Sequence, residues 1–261
     1  MKKYCVLAAA IAAGMAASAF AAPNVNSAKI NGRIFNDYPG SSFVAVNNYP
    51  ANITFTDSGL AAPSGFANRH NWRLSADGEA SNAQFANGDT YAVFADVTIS
   101  TIGTGAGEGG LQLSPWWDPN VIGVFNLRTT DGEVAIFGGR LPFYSFTGSQ
   151  GVTYTPGTTV RLGVEYDPQG LSAMSPGLVR YSYGALTSGW LAFDQGNPAE
   201  EIPHGVWGAL NNATVGGFVQ VFGTTGSGQV SADFSNIEYI PAPGSIALLA
   251  VGGAFAARRR R

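Results

Sequence analysis

Between residues 23 and 240 apolar and polar positions alternate with a period of two, and no long helical periodicity appears. Tyr91 to Thr101 is β-branched and aromatic, and predicts a strand long enough to cross a large sheet. Val121 to Thr129 and Glu133 to Phe137 flank Thr130-Asp131-Gly132, an Asp-Gly turn that predicts a hairpin. Thr159 to Asp167 alternates strictly, with Val160, Leu162, Val164 and Tyr166 on one face and Arg161 and Glu165 on the other. Leu178 to Tyr183, Gly189 to Asp194, Gly217 to Phe222 and Val230 to Ile240 continue the pattern, punctuated by Gly, Pro, Asn and Asp. About a dozen short strands in a chain of this length predict an all-β antiparallel sandwich or barrel.

Each end of the chain breaks the alternation with an apolar run. Val6 to Phe20 follows Lys2 and Lys3 and ends in the small-x-small triplet Ala19-Phe20-Ala21. This predicts a signal-peptide helix over residues 1–21, with Ala19, Ala21 and Ala22 marking the cleavage site. At the other end Ser245 to Ala257 carries no charge. As a helix it would be about 20 Å long, short of the ~20 residues a bilayer core asks for. Pro241 and Pro243 precede it, and Arg258, Arg259, Arg260 and Arg261 close the chain. Consecutive arginines resist translocation. The pattern predicts an exported body over residues 22–240, held transiently at the inner membrane by a short C-terminal apolar helix in a tail over residues 241–261.

That tail, a Pro-flanked hinge followed by an apolar stretch and an arginine cluster, resembles a PEP-CTERM sorting signal. The resemblance implies passage through the secretion machinery, processing by an exosortase-type enzyme, and delivery to the cell-envelope surface or extracellular matrix. Ala242 stands where the motif has glutamate, so Pro241-Ala242-Pro243 is a variant of it. The body resembles concanavalin-like jelly rolls in its size, its strand order and its closing Val230 to Ile240, which holds an Asp-Phe-x-x-Ile pattern. There the first and last strands often pair, and the early partner would be Ile30 to Asn36 or Ile53 to Asp57. Such folds host lectins, glycosidases and pure scaffolds alike, so fold does not settle function.

Charge narrows the partners. Six of the 14 basic residues (Lys2, Lys3 and the four terminal arginines) lie in the two ends, leaving eight in the body against all 17 acidic ones, a net charge of −9. Nucleic acid and anionic membrane surfaces are therefore poor partners for the body as a whole. Charged residues are 12% of the chain, about half the usual share, as suits an extracellular β-protein. The single cysteine, Cys5, lies in the leader, so the mature chain has no disulfide or thiolate chemistry.

Gly105-Ala-Gly107-Glu-Gly-Gly110 fits Gly-x-Gly-x-x-Gly, but Leu111 to Pro115 after it reads as a strand and not a helix. A phosphate cradle needs a helix N-terminus, so a flexible loop is expected. Retaining glycosidases on jelly rolls set two carboxylates about 5 Å apart on one face. Glu165 and Asp167 share a face, but Pro168 ends the strand and no third carboxylate follows. Asp131 and Glu133 read as turn residues, and Glu200-Glu201 as part of a solvated loop. His70 and His204 have no ligand-spaced neighbours, and no Gly-x-Ser-x-Gly or His-Glu-x-x-His occurs. Each histidine reads as a surface or hydrogen-bonded polar residue. No catalytic residue, cofactor or metal ligand is assigned, though Asp233, or Asp77 with Glu79, could hold a structural calcium of the kind such jelly rolls carry.

The strongest binding candidates are aromatic. Ser114-Pro-Trp116-Trp117-Asp118-Pro-Asn120 puts two tryptophans in a Pro-bounded turn, where sugar rings could stack while Asp118 and Asn120 bond hydroxyls. Gly139 to Phe146 adds Arg140, Phe143 and Tyr144; the competing reading places Trp116 and Trp117 over the core. Trp72, Trp190 and Trp207 sit in strand-like runs and are expected in the core. Two functions stay open: a non-catalytic surface or matrix protein that binds glycan through loop aromatics, or a secreted glycoside hydrolase or lyase. The missing carboxylate motif favours the first.

Overall fold

A computed structural model describes residues 22–60, 66–115, 122–196, 204–222 and 228–241. Its strands are β1 (Ser27–Asn36), β2 (Ser42–Asn48), β3 (Asn52–Ser58), β4 (Asn68–Ser75), β5 (Tyr91–Gly103), β6 (Ala106–Pro115) and β7 (Gly123–Arg128). After them come β8 (Val134–Phe137), β9 (Tyr144–Ser145), a one-turn helix α1 (Phe146–Gln150), β10 (Thr159–Asp167), β11 (Leu178–Tyr183), β12 (Leu186–Ala192), β13 (Ala213–Phe222) and β14 (Gly228–Pro241). They form two seven-stranded antiparallel sheets, β1-β4-β13-β6-β7-β8-β9 (sheet A) and β12-β11-β10-β5-β14-β3-β2 (sheet B). The protein is thus an all-β sandwich with jelly-roll-like strand order.

Alternation builds the core as expected. On β5 the side chains of Tyr91, Val93, Ala95, Val97 and Ile99 are buried between the sheets, and the residues between them are only half-buried on the outer face. Leu162, Val164 and Tyr166 of β10 do the same, and Asp131 and Gly132 close the β7–β8 hairpin. Trp72 of β4 meets Phe234 of β14 edge to face across the layers, with ring centroids 5.7 Å apart. Opposite Trp72 stands Gly217, where a Cβ would come within 2.5 Å of the indole nitrogen. Only glycine leaves room for the ring there.

Of the two expected partners for the last strand, the structure selects the second: β14 pairs with β3 along Asn52–Ser58, whereas β1 joins β4 in the other sheet. The Gly-rich segment is not a loop. Gly107, Gly109 and Gly110 are residues of β6, and only Gly105 belongs to the turn before it. The reason is steric: at Gly109 a Cβ would approach Ile99 to 2.7 Å and the Phe218 carbonyl to 2.8 Å, so glycine permits close packing of the two layers. Trp190 is not core either. It lies exposed on edge strand β12 beneath the Arg180 guanidinium, 4.8 Å from its ring centre. Trp207 is half-buried in a bend. The expected apolar helices at residues 1–21 and 245–257 lie outside the described residues, as do residues 242–261 and the Trp116 to Asn120 turn. Among the described residues no helix is long and apolar enough to cross a membrane.

His70 is a core residue. Its Nε2 donates to Asp57 Oδ2 at 2.9 Å, joining β4 of sheet A to β3 of sheet B. Its Nδ1 accepts from the Arg33 backbone N–H, also at 2.9 Å, in the bulge of β1. That second bond requires an unprotonated Nδ1, so the ring is neutral and carries its proton on Nε2. Phe43 stacks on it at 3.7 Å. Asp57 Oδ2 also accepts from Asn68 Nδ2 at 2.8 Å. Burial pushes the Asp57 carboxyl up, but the bonds from His70, Ser41 and Asn68 more than offset this and hold it below the ordinary value. Being lower in the folded state, it adds stability above its unfolded pKa of 3.8 that is lost as pH falls through its folded pKa.

Replacing His70 by Ala strands a buried carboxylate and opens a cavity beside Phe43. Urea unfolding at neutral pH is expected to show a loss of about 3–5 kcal/mol. Asp57→Asn,His70→Gln, which keeps a neutral hydrogen-bonded pair, should recover much of it.

Candidate ligand-binding face

The outer surface of sheet A is polar, and strand register explains how. Residues that alternate away from Trp72 and His70 on β4 are Arg69, Asn71 and Arg73. Register then extends three rows across the sheet. The first runs Lys29, Arg73, Gly216, Gln112, Val124, Phe137. The second runs Asn31, Asn71, Phe218, Gly110, Asn126, Ala135. The third holds Arg69, Gln220, Glu108 and Arg128. These side chains come from six strands, β1, β4, β13, β6, β7 and β8.

A chain of hydrogen bonds binds part of this surface together. Arg69 Nη1 donates to Gln220 Oε1 at 2.8 Å, and Gln220 Nε2 donates to Glu108 Oε1 at 3.3 Å. Asn126 Nδ2 donates to Glu108 Oε2 at 2.9 Å, which fixes the Asn126 amide with its oxygen turned away from the carboxylate. Asn31 Nδ2 donates to Asn71 Oδ1 at 3.0 Å. The Arg69 guanidinium also lies over the Phe218 ring, 4.4 Å from its centre.

Several buried atoms of this face are unsatisfied. Arg69, Asn71, Arg73, Gln112, Asn126 and Gln220 are all between 2% and 6% exposed. Yet Arg69 Nε and Nη2, Gln112 Oε1 and Asn126 Oδ1 have no hydrogen-bond partner. A buried polar atom left unbonded costs about 1–3 kcal/mol. Burial pushes the Arg69 guanidinium down to about 10, with Glu108 partly offsetting the effect. Arg73 is pushed down to about 9 by burial and by the charge of Arg69. Two desolvated cations, with unbonded Nε and Nη2 donors on Arg69 and amide oxygens beside them, suit an anion whose neighbours carry hydroxyls.

The carboxylates singled out from sequence stand elsewhere. Glu165 lies on the outer face of sheet B and is held bidentately by Arg180 at 2.8 and 2.6 Å. Asp167 accepts from Gln169, and Asp131 and Glu133 both pair with Arg128. Asp77 is saturated by Ser75 and Ser81, whose bonds hold it down at about 2. Asp233 lies on the outer face of sheet B between Thr54 and Thr98. Among the described residues no three His, Cys, Asp or Glu side chains cluster as a metal site. His204 is exposed. Tyr144 is half-buried on β9, its hydroxyl accepting from Gln150 Nε2 at 2.7 Å and its ring edge-on to Phe146. Trp116, Trp117, Asp118 and Asn120 lie outside the described residues. Sequence reading missed the polar face because β4 lacks an apolar alternation; the available signal was the spacing Arg69-x-Asn71-x-Arg73.

No protein-family model matches the chain, nor does any curated protein at sequence level. Solved structures similar in fold include two alginate lyases. Alginate lyase AlgAT5 from polysaccharide lyase family 7 matches at TM-score 0.47 and 11% identity, over 83% of this chain and 95% of the other. The family 7 alginate lyase A1-II′, solved with product, matches at TM-score 0.47 and 10% identity, over 76% and 83%.

The polar face depends on how closely β4 and β13 approach. At Gly216, between Arg73 and Gln112, a Cβ would fall 2.0 Å from the Trp72 carbonyl. Gly216→Ala is expected to push the strands apart and cost about 1–3 kcal/mol. Denaturant unfolding measures this, and amide exchange should rise selectively along β4 and β13.

Proposed function

We propose that the protein is a non-catalytic surface or matrix protein that binds an acidic polysaccharide on the outer face of sheet A. One observation carries the reading: donors of Arg69 and acceptors of Gln112 and Asn126 are buried on one face without partners. A uronate residue supplies both halves of what is missing. Its carboxylate accepts from a guanidinium in a charge-assisted pair, and its hydroxyls donate to amide oxygens. The site is cationic although the body is acidic overall, so attraction is confined to this face.

A lyase acting on such a chain would need a base beside the carbon α to the carboxylate. Among the described residues in the three rows, Glu108 is the one Brønsted base, and amide donors from Asn126 and Gln220 occupy both its oxygens. His70 is turned to the opposite side of the sheet. This favours binding over cleavage. Export, sorting by an exosortase-type enzyme and residence at the cell surface or in the matrix belong to the same proposal. They are supported by the leader with Ala19, Ala21 and Ala22, by Pro241-Ala242-Pro243 and by the terminal arginines.

Calorimetric titration with alginate and with polygalacturonate, against dextran as neutral control, tests the reading. At least one polyuronate should bind at pH 7, and Arg69→Met should weaken it tenfold or more, about 1.4 kcal/mol. Failure of both polymers to bind overturns the proposal. Appearance of unsaturated uronate product in the ultraviolet would replace binding by lyase action.

The pH dependence follows from the lowered guanidinium values. With no anion bound, burial pushes the Arg73 and Arg69 guanidiniums down to about 9 and about 10, well below an arginine in an unfolded chain. Across that interval the native state binds fewer protons, so these two groups favour folding more as pH rises. Anion binding needs them charged, so affinity should be constant from pH 6 to 8 and fall steeply by pH 10. Constant affinity through pH 10 would show that these arginines do not hold the anion.

A further inference from the structure

At the far end of the first row, sheet A meets a cleft of about 360 Å³ on the surface. Phe137, the last residue of that row, forms one wall; Leu141, Pro142 and Phe143 form others, with Arg140 and Asp194 beneath and beside them. Phe137 and Phe143 are exposed, at 40% and 69%. Four strand spacings separate Phe137 on β8 from Arg73 on β4, about 19 Å along the sheet at ~4.8 Å per strand.

The cleft's charge differs from that of the polar face. Arg140 is buried, and its guanidinium bonds the Asp194 carboxylate at 3.3 Å, the Asp194 carbonyl at 2.6 Å and the Val206 carbonyl at 3.0 Å. Its charge is thus spent on Asp194 and on the chain, leaving the cleft neutral. The Asp194 side chain is 84% exposed and is positioned by Arg140 and by the Gly196 N–H at 2.8 Å. Consecutive left-handed conformations at Gly138, Gly139 and Arg140 turn the chain so that Arg140 points under the cleft while Phe143 stays outside.

We propose that this cleft binds an uncharged sugar unit, stacked on Phe137 and Phe143 and bonded through its hydroxyls to Asp194. Flat apolar rings beside a fixed acceptor suit a pyranose, which has apolar C–H faces and a rim of donors. A uronate is disfavoured there, because its carboxylate would meet Asp194 with no spare cation. The volume admits a unit of this size. This deepens the reading of the outer face and rests on it: the polymer that spans both regions carries uronate residues at Arg69 and Arg73 and a neutral residue at the cleft.

Calorimetric titration of the full chain with neutral hexasaccharides of glucose, mannose, galactose and xylose tests the cleft alone. At least one should bind, and Phe143→Ala and Asp194→Asn should each weaken it tenfold or more. Both substituted side chains are exposed, and native thermal melting of each variant checks that the fold is kept. If none of the four binds, or if both variants bind as the parent does, the cleft proposal is overturned. Alginate and polygalacturonate titrations of the same variants keep the two readings apart. Polyuronate binding lost in Arg69→Met but kept in Phe143→Ala supports the face, whatever the neutral sugars do.

Discussion

Strand β4 is buried on both sides, and the rest of the molecule is arranged around that constraint. Its inward residues, His70 and Trp72, fasten sheet A to sheet B through Asp57 and Phe234. Its outward residues, Arg69, Asn71 and Arg73, each belong to one of the three polar rows. A strand carries successive side chains to opposite faces, so core and site are fixed by one register. A slip of a single residue would put two arginines between the sheets and a tryptophan outside. The hydrogen bond between His70 and Asp57 resists that slip, because it has a single geometry across the layers.

Strands with apolar alternation were legible from sequence. β5 and β10 fall where Tyr91 to Thr101 and Thr159 to Asp167 place them, and the Asp-Gly turn closes its hairpin. What escaped was local polarity whose meaning is tertiary. Asn-Arg-His-Asn-Trp-Arg-Leu-Ser reads as a strand-like run with a core Trp72, but nothing local says that β1 and β13 flank it and that its polar residues share one face. The glycines of β6 read as flexible because nothing in the chain says that Ile99 and the Phe218 carbonyl crowd them. Trp190 reads as core by composition, yet edge strand β12 leaves it outside.

The candidate site was less legible than the fold for the same reason. Its polar side chains come from β1, β4, β13, β6 and β7, and only β4 supplies as many as three. The spacing Arg69-x-Asn71-x-Arg73 announces its share from β4, and no short motif announces the rest. A cationic patch on a body of net charge −9 is also invisible to whole-chain charge, which counts acids on the opposite sheet, such as Glu165 and Asp96, that already have arginine partners.

Strand β14 gives the fold a mechanical character. It is 14 residues long, lies inside sheet B between β5 and β3, and its last residue, Pro241, is still in register with Tyr91. A load applied to the chain beyond Pro241 therefore pulls along a strand paired with β5 up to its last residue and with β3 as well along Gln229–Ser235. Its ladder bonds would bear the force together in shear, and could not open one after another as a peeling edge strand does. A body suspended from that end would hang from its most firmly seated element, leaving the outer face of the other sheet clear of the line of tension.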